Sequence, residues 1–288
     1  MLNTDPVIRR RWASWSARLV SVTIVTLALW AFWLEPASMT ITRAQLTVPL
    51  QSGSLRVVVL TDLHVGSPFN GVDNLRRIIS LANAEQPDLI CILGDLVVQG
   101  VRGGRFVDPE TIGAELSGLR ASVGTFAVLG NHDNWLNHDR VANVLAGNGI
   151  PVIEERAVRL PTRAGPIWLA GISDYWMGRH DITAALSHVT DQAPVLLMTH
   201  NPDVFPSVPP RVALTLAGHT HGGQVRFPFI GAPVVPSEFG QRYVGGYVRE
   251  GGRQMFVATG VGTSIIPVRF RVPPSIVVLT LISSPSAR

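Results

Sequence analysis

Lysine is absent from this 288-residue chain, so all 24 basic side chains are arginines. That usage points to a GC-rich bacterial genome. Cysteine is almost absent too. The single thiol, Cys91, has no internal disulfide partner and cannot build a thiolate metal cluster. It lies in the apolar run Leu89–Leu93, where a small buried core residue is expected. Low-complexity tracts and repeats of 20–50 residues are missing, which excludes a solenoid or propeller. Charge is sparse at 15%, and the formal net of +4 is unevenly placed. Residues 1–34 carry Arg9, Arg10, Arg11 and Arg18 against Asp5, a net of +3, which leaves only +1 for the remainder. The bulk of the chain lacks the basic surface of a nucleic-acid-binding domain, so no nucleic-acid partner is expected.

What the first segment does have is a charge-free run, Leu19 to Leu34. Alone it falls short of the roughly 20 apolar residues a span requires. Trp12 and Trp15 on one side and Trp30 and Trp33 on the other extend it to about 31 Å of helix, matching an aromatic belt. Arg18 would snorkel outward. The arginines before the run, with Glu35 after it, orient the N-terminus to the cytoplasm. The expected organisation is a cytoplasmic N-terminus and single-pass anchor over 1–35, a linker over 36–53, and a main domain over 54–288 outside the bacterial cytoplasmic (inner) membrane. Three alternatives stand beside the anchor. One is a cleaved signal peptide, for which no clean A-x-A site follows. Another is a twin-arginine signal, to which Arg9-Arg10-Arg11-Trp12 is a loose match. The third is a buried helix.

Beyond the linker, β-rich runs alternate with helical or loop segments. The runs are Leu55–Thr61, Leu89–Leu93, Phe126–Leu129, Ile167–Gly171, Val195–Thr199 and Val212–Ala217. Several are continuous and apolar, as in strands covered on both faces. Asn74–Ala84 has helical spacing of Leu75, Ile78, Ile79 and Ala82. Ile182–His188 and Val141–Gly147 are further expected helices, and Ser275–Ile282 is an expected last strand. The pattern is an α/β sandwich with antiparallel strands added late.

Polar residues gather just after these runs: Asp62-Leu63-His64, Gly94-Asp95, Gly130-Asn131-His132-Asp133, His200, and Gly218-His219-Thr220-His221-Gly222-Gly223. Carboxyl ends of parallel strands form the functional edge of such a sheet. Asp62, His64, Asp95, Asn131, His200, His219 and His221 offer only oxygen and nitrogen donors, which suits Mn, Fe, Zn or Co. Seven donors are too many for one tetrahedral site but suit two ions that share a carboxylate. Asp62/His64 and His219/His221 each have period-two spacing, so each pair can point the same way in extended chain. A lone Asp or His at a strand end is usually a satisfied loop residue. Five of the eight histidines in these clusters is a different matter. His138, His180 and His188 have no such context and are expected to be surface or structural.

In this order, the five motif blocks resemble the signature of the calcineurin-like metallophosphoesterases, over roughly residues 55–282. The closer resemblance is to the bacterial membrane-associated YkuE/YaeI-like branch, through Ala217–Gln224 and Gly260-x-Gly262 followed by Pro267-Val268-Arg269-Phe270. That branch reads Pro-Glu-Ile where this chain has Pro274-Ser275-Ile276, which puts in doubt a contact of that Glu with Arg269. The resemblance implies a calcineurin-like αββα sandwich, two mixed β-sheets flanked by helices, with 54–288 as the catalytic domain. It implies two divalent ions. Asp62, His64, Asp95 and His221 would hold the first, and Asp95, Asn131, His200 and His219 the second. His132 would stabilise the phosphoryl oxygens or protonate the leaving group, and Asp133 would orient His132. The expected reaction is hydrolysis of a phosphodiester or phosphoanhydride by direct attack of a metal-held hydroxide. The expected substrate is an envelope or lipid-linked phosphate ester, with Phe227, Phe229, Ile230, Ile265 and Ile266 either contacting lipid chains or belonging to an ordinary core. Phosphomonoester hydrolysis of soluble substrates, UDP-diacylglucosamine pyrophosphate hydrolysis and a catalytically silent scaffold are the alternatives. The UDP-linked lipid is cytoplasmic, which conflicts with the inferred topology.

Overall fold

Residues 6–283 are described by a computed structural model. Residues 1–5 of the expected cytoplasmic N-terminus and 284–288 of the expected catalytic domain lie outside the described residues. The first element is α1 (Pro6–Leu29), which runs on through a π-helical turn, Trp30–Leu34. From Arg10 to Leu34 it is long and apolar enough to cross a membrane. Its apolar side chains are exposed, Leu19 by 69% and Ile24 by 61%. A core helix would bury them, so the buried-helix alternative falls.

The segment expected as a linker instead holds β1 (Thr40–Val48), nine residues paired in parallel with the last strand. The sequence Thr-Ile-Thr-Arg-Ala-Gln-Leu-Thr-Val is rich in β-branched residues, and its end buries Leu46 and Val48. Next come β2 (Ser54–Leu60), α2 (Val72–Ala84), β3 (Leu89–Ile92), α3 (Pro109–Leu116), β4 (Gly124–Ala127) and α4 (Asn131–Gly147). They are followed by β5 (Arg156–Leu160), β6 (Ile167–Gly171), α5 (Ile182–Leu186), β7 (Val195–Met198) and β8 (Val212–Ala217). The chain closes with β9 (Gly246–Glu250), β10 (Arg253–Val257) and β11 (Ser275–Ser283). Strands form two mixed sheets, ordered β1-β11-β2-β3-β4 and β5-β6-β7-β8-β10-β9.

Residue alternation explains the layering. Val57 and Val59 of β2 join Leu196, Met198, Leu214 and Leu216 of the second sheet in one core cluster. Val58 and Leu60, one step along, face Leu75 and Ile78 of α2, Ile112 and Leu116 of α3, and Val141 and Leu145 of α4. The outer face of the second sheet packs Ala170, Val195 and Leu197 against Ala185 of α5, Phe205 and Tyr243. Strands buried on both faces read as continuous apolar runs, and the result is an α-β-β-α stack. Each fully buried Val or Leu contributes about 1.5–3 kcal/mol. β2, β3 and β4 run parallel, as do β6, β7, β8 and β10. Their carboxyl ends meet along one edge.

Candidate metal centre

The loops at that edge leave their strands abruptly. Asp62, His64, Asp95, His219 and His221 all have positive φ, between 39° and 69°. Non-glycine residues rarely adopt this region, and such strain concentrates where the surrounding structure fixes a functional side chain. Close packing fixes it here. A Cβ on Gly130 would stand 2.2 Å from Asp95 Oδ1, and one on Gly218 would stand 2.1 Å from Thr61 Oγ1. Glycine at both positions lets the β4 and β8 loops approach the two carboxylates.

The fold brings six of the seven candidate ligands into overlapping buried groups, and the seventh, Asn131, is buried and lines the cleft beside them. Donor atoms of Asp62, His64 and His221 lie within 4.8 Å of one another, as do those of His64, Asp95 and His132, and those of Asp95, His200 and His219. Asp95 Oδ2 sits between the groups, 3.5 Å from His64 Nε2 and 3.3 Å from His200 Nε2. His221 Nε2 is 3.3 Å from Asp62 Oδ1. Each carboxylate has one oxygen tied back. Asp62 Oδ2 accepts from His219 N at 3.0 Å and Thr61 Oγ1 at 2.8 Å, and Asp95 Oδ1 accepts from His132 N at 2.9 Å. The other oxygen of each faces the cluster. Two rings are fixed in the same way: His64 Nδ1 lies 3.2 Å from Val97 O and His200 Nδ1 2.7 Å from Leu93 O. A backbone carbonyl on one ring nitrogen turns the other inward, the usual outer-shell arrangement of metal-ligating histidine.

The residues fit a pair of divalent ions. Asp62 Oδ1 and Asn131 Oδ1 are buried without a hydrogen-bond partner. Buried polar atoms rarely go unpaired, because desolvation costs free energy that nothing returns. Facing pairs of imidazole nitrogens, His64 Nε2 with His221 Nε2 at 3.2 Å and His219 Nδ1 with His200 Nε2 at 3.1 Å, are arrangements that a cation between lone pairs satisfies.

Titration follows the crowding. Burial lowers His64 to about 4, and burial with the His200 charge lowers His219 to about 3. Burial also holds His221 well below its usual value and lowers His132. For His64, His219 and His221 the shift favours the neutral imidazole, the form that ligates metal. Burial raises Asp62 to about 6. For Asp95, burial pushes upward, but His200 and His64 outweigh it and hold the carboxyl well below its usual value. Burial would lower His200, yet the Asp95 carboxylate carries it up to about 10.

His132 and Asp133 open α4, which starts ten residues earlier than the expected helix Val141–Gly147. The His132 ring lies 4.6 Å from that of His64 and 4.7 Å from Trp135, and its Nδ1 has no protein partner. The expected orienting role of Asp133 is not what the geometry shows. Its Oδ1 accepts from Leu96 N at 2.9 Å and Val97 N at 3.3 Å, and its Oδ2 from Gly130 N at 3.1 Å. The carboxylate clamps the loop after Asp95 to the start of α4. Burial, then the Asp95 charge, raises Asp133 to about 7.

A cleft of about 260 Å³ opens onto the cluster, lined by Asp95, Asn131, His132, His219, Trp135 and Trp176 among others. Trp176 meets the His219 ring edge-on at 4.4 Å. Asp174, buried three residues beyond β6, is not among the sequence candidates. Its charge raises both His132 and His200, and its Oδ1 has no partner. The available signal is an acid three residues after the run Ile167–Gly171, but no histidine marks it. Of the remaining histidines, His138 bonds Asp139 and Glu154, and His188 bonds the Ala184 carbonyl.

The substitution at Ser275 has a structural counterpart. Arg269 is fully buried and donates to the carbonyls of Val272, Thr259, Gly260 and Gly262. The nearby carboxylate comes from Glu35, at the end of the membrane-type helix, which accepts from Val272 N at 2.5 Å. Burial lowers Arg269 to about 10, opposed by Asp62 and Glu35.

A sequence profile described as calcineurin-like phosphoesterase matches residues 55–223. Metallophosphoesterase YkuE of Bacillus subtilis is 28% identical over 261 residues, covering 88% of this chain and 90% of that relative. Phosphodiesterase YaeI of Escherichia coli is 32% identical over 235 residues, covering 79% and 82%. A Helicobacter pylori metallophosphoesterase is 31% identical over 237 residues, and the match spans 60% of that relative's length.

Proposed function

The chain belongs to the calcineurin-like phosphoesterases, and we propose that it hydrolyses phosphodiester or phosphoanhydride bonds of an envelope or lipid-linked substrate. Asp62, His64, Asp95 and His221 would hold one divalent ion, and Asp95, Asn131, His200 and His219 a second. The observation that supports this reading is Asp95 Oδ2, placed 3.5 Å from a histidine of one set and 3.3 Å from a histidine of the other. When bound, such ions supply Lewis-acid stabilisation of phosphoryl charge and a water nucleophile near neutral pH.

The chain's own residues do the rest. Asp62 and Asp95 each keep one oxygen on protein donors, so they enter the site preoriented. His132 lines the cleft with a free ring nitrogen, positioned to donate to a phosphoryl or leaving oxygen. Trp135 and Trp176 wall the cleft and restrict the approach of substrate and bulk water. YaeI is named a phosphodiesterase, which favours diesters over monoesters.

The length and apolar character of α1 support a membrane location. Arg10, Arg11 and Arg18 lie toward its start and Glu35 beyond its end, so the N-terminus would face the cytoplasm and the catalytic domain the outside. An uncleaved anchor is supported by the seating of the helix end. Ala31 and Glu35 are buried, Arg269 N donates to Ala31 O at 2.9 Å, and Trp30 Nε1 donates to Glu35 Oε2 at 2.6 Å.

The test is a metal-resolved screen of the full chain, loaded in turn with Mn, Fe, Zn or Co. Bis(4-nitrophenyl) phosphate should be turned over faster than 4-nitrophenyl phosphate, with loss of both rates on chelation. A faster monoester would make this a phosphomonoesterase. Absence of metal-dependent turnover on either substrate would sink the proposal.

A further inference from the structure

We propose that an apolar cavity beside the metal cleft is a subsite for the acyl chain of a phosphoester lipid drawn from the bilayer. The proposal rests on the phosphoesterase reading above. The cavity is about 320 Å³, within the size range of small-molecule sites. Val225, Pro233, Val234 and Val268 line it, and it shares Pro236 and Ile265 with the cleft over the candidate ligands. A chain lying in it would leave its phosphate beside His221, which borders both spaces.

Gln224 and Thr220 on its wall are already satisfied. Gln224 Oε1 accepts from Ser264 N at 2.7 Å and its Nε2 donates to Ser264 O at 3.0 Å. Thr220 Oγ1 donates to Val244 O at 3.0 Å. Apart from His221 at the metal-cleft end, the side chains facing the cavity are largely hydrocarbon, which recognises hydrocarbon.

Its position points to lipid rather than a soluble apolar ligand. A hydrogen-bonded path leads from the membrane-type helix to the cavity wall. Ala31 O accepts from Arg269 N at 2.9 Å, Phe270 N donates to Gln224 O at 2.8 Å, and Arg226 N donates to Phe270 O at 2.9 Å. The next residues form a hairpin closed by Phe227 and Gly231, whose tip holds Phe229 fully exposed and Ile230 exposed by 68%. Val234 and Ile265, at the cavity itself, are exposed by 75% and 71%. An apolar rim of this kind, with Arg226 and Arg271 beside it, has the composition of a bilayer-contacting surface that tolerates anionic headgroups. The backbone is strained to make it. Phe229 has φ 67° and Ile265 φ 61°, in a region that bulky and β-branched residues avoid. Arg102 N holds the Ile265 carbonyl at 3.0 Å.

The test uses 4-nitrophenyl alkyl phosphodiesters of rising chain length, methyl to octyl, with the metal-loaded full chain held in an amphipathic polymer. Water adds to phosphorus, the aryl P–O bond breaks, 4-nitrophenolate leaves, and the alkyl phosphate keeps its chain. The expected result is a kcat/KM that rises about fourfold per methylene until the cavity fills. Val234→Asp should flatten that slope, and reading the octyl-to-methyl ratio within each variant cancels any general loss of activity. Turnover that is metal-dependent but independent of chain length in the wild type would overturn the subsite and leave the phosphoesterase reading standing. A flat series in which Val234→Asp converts a dimer to a monomer would assign the cavity to a second copy of the chain. If no ester is cleaved, the phosphoesterase reading fails, and calorimetric binding of alkyl phosphates then decides the cavity: affinity that does not rise with chain length overturns the subsite too.

Discussion

Asp133→Asn exchanges one oxygen of a buried carboxylate for an amide nitrogen, and three backbone donors determine the consequence. Leu96 N and Val97 N bind Oδ1, and Gly130 N binds Oδ2. Asparagine keeps an acceptor for the first two but sets an N–H against the Gly130 N–H. A buried donor left unpaired costs about 1–3 kcal/mol. Alanine would strand all three, about 3–9 kcal/mol on the same scale, which rivals the whole stability of a typical domain. Asparagine is therefore the tractable change. Urea unfolding at pH 8, above the Asp133 value of about 7, should show a midpoint lowered by about 0.3–1 M for an m near 3 kcal/mol/M. Hydrogen exchange at the Leu96 and Val97 amides should quicken. These amides follow Asp95 directly, so metal affinity should also fall, by about 10–100-fold. The pH dependence of kcat should keep its shape, because the Asp133 carboxylate is committed to backbone and not to the His132 ring. An unchanged urea midpoint together with a shifted pH profile would refute the clamp and restore an orienting role.

His132→Ala should retain both metals by elemental analysis while turnover of bis(4-nitrophenyl) phosphate falls about 10²–10⁴-fold. Burial pushes the Cys91 thiol above its usual value, so iodoacetamide should label it only in denaturant, as mass spectrometry would show. At His138, burial lowers the pKa, but hydrogen bonds to Glu154 and Asp139 outweigh that and raise it. Its stabilising contribution is complete below the unfolded value near 6.5 and is lost as pH rises through the raised folded value. Between pH 6 and 9, urea unfolding should show the wild type losing slightly more stability than His138→Gln, by well under 1 kcal/mol, since the ring is 41% exposed.

The strands that carry the site were readable because each is a short apolar run ended by a polar cluster. Leu55–Thr61, Leu89–Leu93 and Val212–Ala217 fall within a residue of β2, β3 and β8. β1 was not readable. Thr40–Val48 exposes Arg43 and Gln45 and gains its place by pairing with β11, more than 230 residues away. α3 escaped because its eight residues show too few turns of periodicity. At the site, spacing could nominate Asp133 but not the direction its carboxylate takes, and Asp174 lacked any accompanying histidine. The contact between Glu35 and the Val272 amide joins chain ends that no local pattern connects.

In the proposed site one carboxylate, Asp95, joins two cation sites. Elemental analysis of the purified full chain and of Asp95→Ala, each saturated with Mn and freed of loose metal, tests it directly. Two ions per wild-type chain and fewer than one in the variant are expected. Two ions retained by Asp95→Ala, or a wild type that binds only one, would contradict it.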